Sequence, residues 1–340
     1  MNPPNLRRKI GCWLHERWRM EAVLRAPHLA RRAGLDWLDL RNRHERLLRG
    51  AGVGRICDWP ESSLLTACRT FPRLGGRLLQ HVAREHPFAL RPRPDVSPVS
   101  AIVPVRGTDR LQTLAFVVAA LRAVGGPASE VLVCEHDRAP RLERDWPEGV
   151  RHVFVPAADG EAFNKSKALN AGALAARHYM LLLHDADVWP PADYFVRCLE
   201  LMAQGGGEAV RPIRFLFLLD ETESRRVLDS GSVQGVREVA KVQQNNPGLS
   251  AFVRKDAYVE IGGHDERFTG WGWEDVEFLD RLKTRRLHPG AFLPAVHLWH
   301  AVPPAKQVRD WNSGRLAEIM REPVEERIAA ARRRLEGGAR

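Results

Sequence analysis

The sequence predicts an α/β fold: a Rossmann-like, mostly parallel sheet with flanking helices over residues 97–305, preceded by a helical, basic extension (1–96) and followed by a C-terminal helix (306–340). Three observations carry this. From residue 97 to about 204, strand-like apolar runs alternate with amphipathic helical patterns, as in βαβ units whose sheet is covered on both faces. The stretch "PFALRPRPDVSP" holds four Pro in twelve residues and reads as a linker. The formal charge of +10 is concentrated in the first quarter, where residues 1–95 carry 19 Lys and Arg against 9 Asp and Glu, while residues 96–340 hold 33 of each sign.

Residues 1–90 read as helical, with Trp13, Leu14, Trp18, Leu24 and Leu29 set among many Arg and breaks at Pro27, Pro60, Pro72 and Pro87. After the linker come "VSAIVPV" (strand), "LQTLAFVVAALRAVG" (helix), "EVLVCEH" and "VRHVFVP" (strands), "NKSKALNAGALAA" (helix), "HYMLLLHDAD" (strand) and "PADYFVRCLELMAQ" (helix). Sites in such sheets lie beyond the carboxyl ends of the strands. Later segments, including "AFVRKDAYVEIGG" and "FLPAVHLWH", are less regular. A charged helix from about Asp310 to Leu335 reads as a solvated packing helix.

Composition limits the function classes. A chain of 340 residues with 44% hydrophobic content can bury a sizeable core. Five scattered Cys without a CxxC pair point to neither a disulfide framework nor a zinc site, and fit a reducing, cytoplasmic setting. The apolar runs stop well short of the roughly 18 residues a membrane span needs. The basic extension suits a phosphate-bearing partner, with the inner membrane surface favoured over nucleic acid; a solvated charged face is the plainer alternative.

The candidate chemistry gathers at strand ends. Asp185 and Asp187 follow "HYMLLLH", and hard oxygen ligands placed there suit Mn²⁺ or Mg²⁺ carrying a diphosphate. "FNKSKALNAG" sets Asn164, Lys165 and Lys167 at a helix start, where free N–H groups and the helix dipole favour an anion; an ordinary capped helix with solvated lysines is the alternative. Arg106 follows the first strand of the sheet. Glu135 stands at the tip of the second, where it could accept hydrogen bonds from a ribose or base, or be an exposed loop acid.

"FTGWGWEDVEFLDRLK" joins two glycines that let the backbone approach a ligand, two flat aromatic faces, Trp271 and Trp273, for a sugar ring, and Glu274 and Asp275 at a helix start. A carboxylate there can accept a proton from a hydroxyl nucleophile. A helix start with favourable acids and two core Trp is the alternative. His297 and His300 in "HLWH", three apart, can bring two imidazoles to one cation or be structural.

In order, "AIVPVRGTDRL", "FNKSKALNAG", "DAD" and "GWGWEDVEF" resemble motifs of the metal-dependent GT-A glycosyltransferases, most closely the β-1,4-galactosyltransferase family with its bacterial relatives, over about residues 98–303. The resemblance implies a UDP-sugar donor contacted by Pro104, Arg106, Phe163 and Lys165, and Mn²⁺ on Asp187 with His297 and His300. It also implies Asp275 as the base that deprotonates an acceptor hydroxyl, and Glu274 and Trp271 shaping the acceptor and donor pockets. The implied reaction is inverting transfer of a hexose, galactose or N-acetylgalactosamine, to a glycan or glycolipid. Trp273 replaces a family Gly and Val276 a family acid, so the family's usual acceptor does not carry over. An aspartate of ordinary pKa is expected to serve as the base. Retaining GT-A enzymes, nucleotidyltransferases and a basic binding protein with an inert α/β domain remain as alternatives.

Overall fold

A computed structural model describes residues 6–48, 53–58, 63–91, 96–143, 145–270, 272–301 and 312–337. In chain order its strands are β1 (Ser63–Leu64), β2 (Val99–Val105), β3 (Glu130–Asp137), β4 (Val150–Pro156), β5 (Met180–His184), β6 (Val188–Trp189), β7 (Ala209–Val210), β8 (Ile213–Leu218), β9 (Lys241–Gln244), β10 (Ser250–Arg254), β11 (Leu287–His288) and β12 (Leu293–His297).

The larger sheet has the order β11-β7-β10-β5-β2-β3-β4. Its β5, β2, β3 and β4 are parallel, as the alternating sequence pattern predicts, while β10 runs antiparallel to both β5 and β7. Every residue of β2 and β3 is buried, which is why these segments read as unbroken apolar runs rather than alternating ones. The helix Lys165–Ala175 lies on β2 and β3. Gly172 allows this contact: a Cβ there would stand 2.4 Å from Ile102 Cγ2 and 2.6 Å from Cys134 Sγ. With the parallel strands aligned, the ends of β2, β3 and β5 open on one edge, and the motif residues collect there.

A second sheet, β1-β9-β8-β12-β6, departs from the mostly parallel expectation. Three of its four pairings are antiparallel, and only β8 and β12 run together. Its strands come from distant, short segments whose local pattern carries no pairing information. The consequence for the site is direct, because β6 begins one residue after Asp187 and pairs with β12, the strand that ends in His297.

Residues 6–91 do not pack apart from the rest. Met20, Val23, Trp37, Leu40 and Leu78 belong to the same core as β2, β3 and β8, and β1 is an edge strand of the second sheet. Fully buried Arg214 on β8 donates to the carbonyls of Leu38 and Leu40 and to the side chains of Gln244 and Asn245. A buried guanidinium needs such partners, and here two come from the N-terminal segment. The Pro-rich stretch, of which residues 92–95 lie outside the described ones, therefore joins parts of one hydrophobic core.

The last helix, Val324–Gly337, is less solvated than the sequence suggests. Arg327 is buried and reaches Glu277 and Asp280, and Arg334 reaches Asp265. Glu277 also pairs with buried Arg281, which donates to the carbonyls of Ile261 and Gly263. These ion pairs fix the helix Glu274–Leu282, whose first turn carries the candidate base.

Candidate active site

The turn after β5 divides the two aspartates. His184 is buried, with Nε2 2.8 Å from the Val188 carbonyl and Nδ1 2.9 Å from Ser250 Oγ. Nε2 must donate to that carbonyl, and burial depresses the pKa, so His184 is a neutral pin that shapes the turn rather than a ligand. The Asp185 N–H donates to the Leu249 carbonyl, and the Leu298 N–H to the Asp187 carbonyl, at 2.9 Å each.

Asp187 meets both histidines. His297 Nε2 lies 3.6 Å from Oδ1 and His300 Nε2 3.1 Å from Oδ2, and the candidate ligand atoms of the three residues lie within 4.8 Å of one another. Register explains the meeting, since His297 pairs with Val188 across β12 and β6. Burial raises the Asp187 pKa, but His297, His300 and Arg110 outweigh it and hold the carboxyl below its usual range. His300 Nδ1 contacts the Ala301 carbonyl at 2.9 Å, a hydrogen bond that orients the ring and leaves Nε2 toward Asp187. One carboxylate oxygen and two imidazole nitrogens suit a divalent cation, and the nitrogens favour Mn²⁺ over Mg²⁺. Arg110 donates to Asp187 Oδ2 at 2.9 Å and was not foreseen in this cluster.

Asp185 turns the other way, to an ammonium shared by three acids. Lys165 Nζ lies 3.0 Å from Asp185 Oδ1, 3.0 Å from Asp275 Oδ2 and 3.4 Å from Glu274 Oε1. Burial lowers the Lys165 pKa, but the acids more than reverse this and hold it well above the ordinary value. Lys165 thus commits its charge to carboxylates, where the resemblance implied a diphosphate. Burial, then the charges of Glu274 and Asp185, push Asp275 up to about 7 against the opposing pull of Lys165. That replaces the expectation of an ordinary aspartate pKa.

The turn before Asp275 has Gly270, Gly272 and Trp273 at φ of 80°, 89° and 75°. Glycine takes such values freely, whereas Trp273 bears a cost of about 1–2 kcal/mol, so the substitution of a family Gly here is conformationally strained. Asn312 braces the turn by donating to the carbonyls of Thr269 and Gly272. Trp273 is half-buried at the start of the helix. Trp271 lies outside the described residues.

A second cluster occupies the ends of β2 and β3. Arg106 donates to the Glu161 carbonyl at 2.7 Å and lies 3.9 Å from Asp137; Lys167 pairs with Glu161 at 2.7 Å, and Asn164 caps its helix by accepting from the Lys167 N–H. Phe163 is half-buried with its ring 6.1 Å from that of His136, whose buried Nε2 has no hydrogen bond. Pro104 is buried in β2 beside Cys134, behind this cluster.

Glu135 departs from expectation. It is fully buried and accepts from the N–H groups of Arg141 and Leu142 while contacting His152 Nε2 at 2.9 Å. A carboxylate so occupied holds the following loop and is not offered to a nucleoside. Asp137, two residues on, stands at the strand tip instead.

Residues 241–298, which contain the Asp275 turn and His297, match the galactosyltransferase family model described as the N-terminal domain of galactosyltransferase. Over 175 residues the chain is 27% identical to human (Homo sapiens) and 26% identical to mouse (Mus musculus) chondroitin sulfate N-acetylgalactosaminyltransferase 2, covering in each case 47% of this chain and 30% of the relative. Over residues 241–298 the chain is galactosyltransferase-like. It spans about a third of the length of the curated relatives it matches. Among solved structures, the catalytic domain of Drosophila β1,4-galactosyltransferase 7 in complex with xylobiose aligns over 63% of this chain and 79% of its own, with 16% identity and a TM-score of 0.34.

The galactosyltransferase-like segment also contains residues that the sequence reading passed over. Gly248, in the loop between β9 and β10, faces Asp275 so closely that a Cβ would meet Oδ2 at 2.1 Å and Cγ at 2.7 Å. The loop is held by Arg211, which donates to the carbonyls of Asn245 and Asn246. His264 Nε2 stands 4.0 Å from Asp275 Oδ1, with its ring stacked on Phe278. Burial and the nearby Lys165 and Arg281 charges keep this histidine neutral.

Proposed function

We propose that this chain is an inverting, metal-dependent glycosyltransferase that moves galactose or N-acetylgalactosamine from a UDP-sugar to a hydroxyl of a glycan or glycolipid acceptor. One observation carries the reading: two carboxylates of a single turn serve two clusters, Asp187 with His297 and His300, and Asp185 with Lys165, Glu274 and Asp275. A cation-binding centre and a candidate base are thereby held by one rigid element. The galactosyltransferase match and the N-acetylgalactosaminyltransferase relatives support the choice of hexose.

The roles follow from chemistry. A divalent cation, Mn²⁺ or Mg²⁺, held by Asp187, His297 and His300 would offset the charge that develops on a leaving diphosphate. Arg106 and Lys167, with the ring of Phe163, form the cationic and aromatic surface for the nucleotide. Asp275 takes the proton of the acceptor hydroxyl as its oxygen bonds to the anomeric carbon and the carbon–phosphate oxygen bond breaks on the opposite face, which inverts the centre. A base with a pKa of about 7 suits this task near neutral pH, because it is both ionised and able to hold the proton. Lys165 fixes the carboxylate's position, and Trp273 and Glu274 border the space for the acceptor. The test is Asp275→Asn, which should keep UDP binding and lose roughly 10²–10⁴ in transfer rate. Turnover near wild type would remove Asp275 from the mechanism.

A further inference from the structure

The outer face of the first helical segment is apolar and uncovered. Residues 6–25 run as one helical segment: Leu6–Cys12, a π-helical turn Trp13–Arg17, and Trp18–Arg25. Its inner face, with Cys12, Glu16, Met20 and Val23 at intervals of four, four and three, is buried against the protein. Its outer face shows Leu6 (73% exposed), Ile10 (52%), Trp13 (58%), Leu14 (54%) and Trp18 (53%). Intervals of four, three, one and four place these along a single stripe. The π turn winds more widely than an α turn and brings Trp18 back toward the line of Leu14. Five of the thirteen large apolar side chains that are exposed among the described residues thus fall within thirteen consecutive positions. That is a built surface rather than a scatter of single exposed residues.

Cations accompany the stripe. Arg7 and Lys9 are exposed on the same turns, and the Arg19 guanidinium lies 5.4 Å from the Trp18 ring centre. The surrounding segment holds the whole charge excess, 19 basic against 9 acidic residues. A helix with tryptophans on one face and cations beside them suits the headgroup region of an anionic bilayer, where indole rings sit with an apolar body inward and the N–H in water. A second copy of this chain suits it less. Pairing two stripes would bring like charges together, and five partly exposed side chains offer roughly 500 Å², below the ~800 Å² per partner of a stable interface.

We propose that this stripe docks the protein flat on an anionic lipid surface, with Trp13 and Trp18 inserted at the headgroup level. No helix among the described residues is long and apolar enough to cross a membrane, so the contact is peripheral in kind.

The experiment is flotation of the full chain with vesicles of phosphatidylcholine alone and of phosphatidylcholine mixed with phosphatidylglycerol, beside the variant Trp13→Ala/Trp18→Ala. The wild type should partition to the anionic vesicles and less to the neutral ones. The variant should partition at least about tenfold less. Its melting temperature and its UDP affinity should be unchanged, because neither side chain packs in the core or lies in the active site. Ile10→Ser, an independent single change on the stripe, should weaken partitioning in the same direction. Equal partitioning of wild type and double variant would overturn the proposal, as would absence of binding to either vesicle. A wild-type dimer in sedimentation velocity that the double variant converts to monomer would assign the stripe to self-association instead.

Discussion

Replacing Gly248 with alanine tests whether the position of Asp275 controls the rate. The added methyl would lie 2.1 Å from Asp275 Oδ2, 2.7 Å from Cγ and 3.2 Å from Cβ, whereas ordinary contact begins near 3.4 Å. Rotating the carboxylate relieves only the first of these, because Cγ and Cβ are also too close. Asp275 is held in addition by two contacts to Lys165, at 3.0 and 3.2 Å. Either the carboxylate or the loop must therefore shift by about 1 Å, and a misplacement of that size costs roughly 10² in rate, or about 2.7 kcal/mol of barrier. The atoms nearest that methyl all belong to Asp275 and none to Asp187, His297 or His300, so donor affinity should fall less than the rate. The assay is turnover of UDP-galactose and UDP-N-acetylgalactosamine with an acceptor panel, read as UDP release, with UDP affinity by calorimetry alongside. Gly248→Ala turning over within threefold of wild type would show that this placement of Asp275 does not set the rate. Equal losses of UDP affinity and rate would do so as well, since they would show that the loop serves the donor.

Four further outcomes follow from the same geometry. The kcat/KM of the wild type should climb with pH through about 7 as Asp275 ionises, and this limb should be absent from the residual activity of Asp275→Asn. Since the folded protein holds that proton between the ordinary value of 3.8 and about 7, Asp275 contributes stability that is lost as pH rises through this window, and thermal melting of Asp275→Asn should depend less on pH there. Arg327→Ala should destabilise the protein by about 3 kcal/mol in denaturant unfolding, because it strips one of two guanidiniums from fully buried Glu277. Glu135→Gln should cost about 1–3 kcal/mol of stability by setting an amide against the N–H donors of Arg141 and Leu142, yet leave UDP affinity unchanged.

The parallel strands β2, β3, β4 and β5 were legible because a sheet buried on both faces demands unbroken apolar runs, and those runs are local. So were the acids after β5 and the start of the Glu274 helix, since strand ends and helix starts have local signals. What joins them was not legible. The pairing of β6 with β12 links residues more than a hundred positions apart through a strand of two residues, too short to show any period. The spacing of His297 and His300 allowed a shared cation, but only this pairing brings them to Asp187. Glu135 was misread for a related reason: a strand buried on both faces gives no alternation from which to tell that its carboxylate turns inward. Gly248 lies in "NNPGLS", which reads as a turn, and nothing in a turn signal says that a carboxylate 27 positions later rests against it. The pKa of Asp275 likewise depends on Asp185, Glu274 and Lys165 arriving together from three segments.

Calorimetric titration of UDP, then of UDP-galactose and UDP-N-acetylgalactosamine, into the wild type and Asp187→Ala, each with Mn²⁺ and with chelator, asks whether the donor is held through a metal on Asp187. The wild type should bind only with Mn²⁺ and prefer one sugar, and Asp187→Ala should lose that binding. Binding that is indifferent to chelator and to Asp187, or no binding of any UDP compound by the wild type, would contradict this.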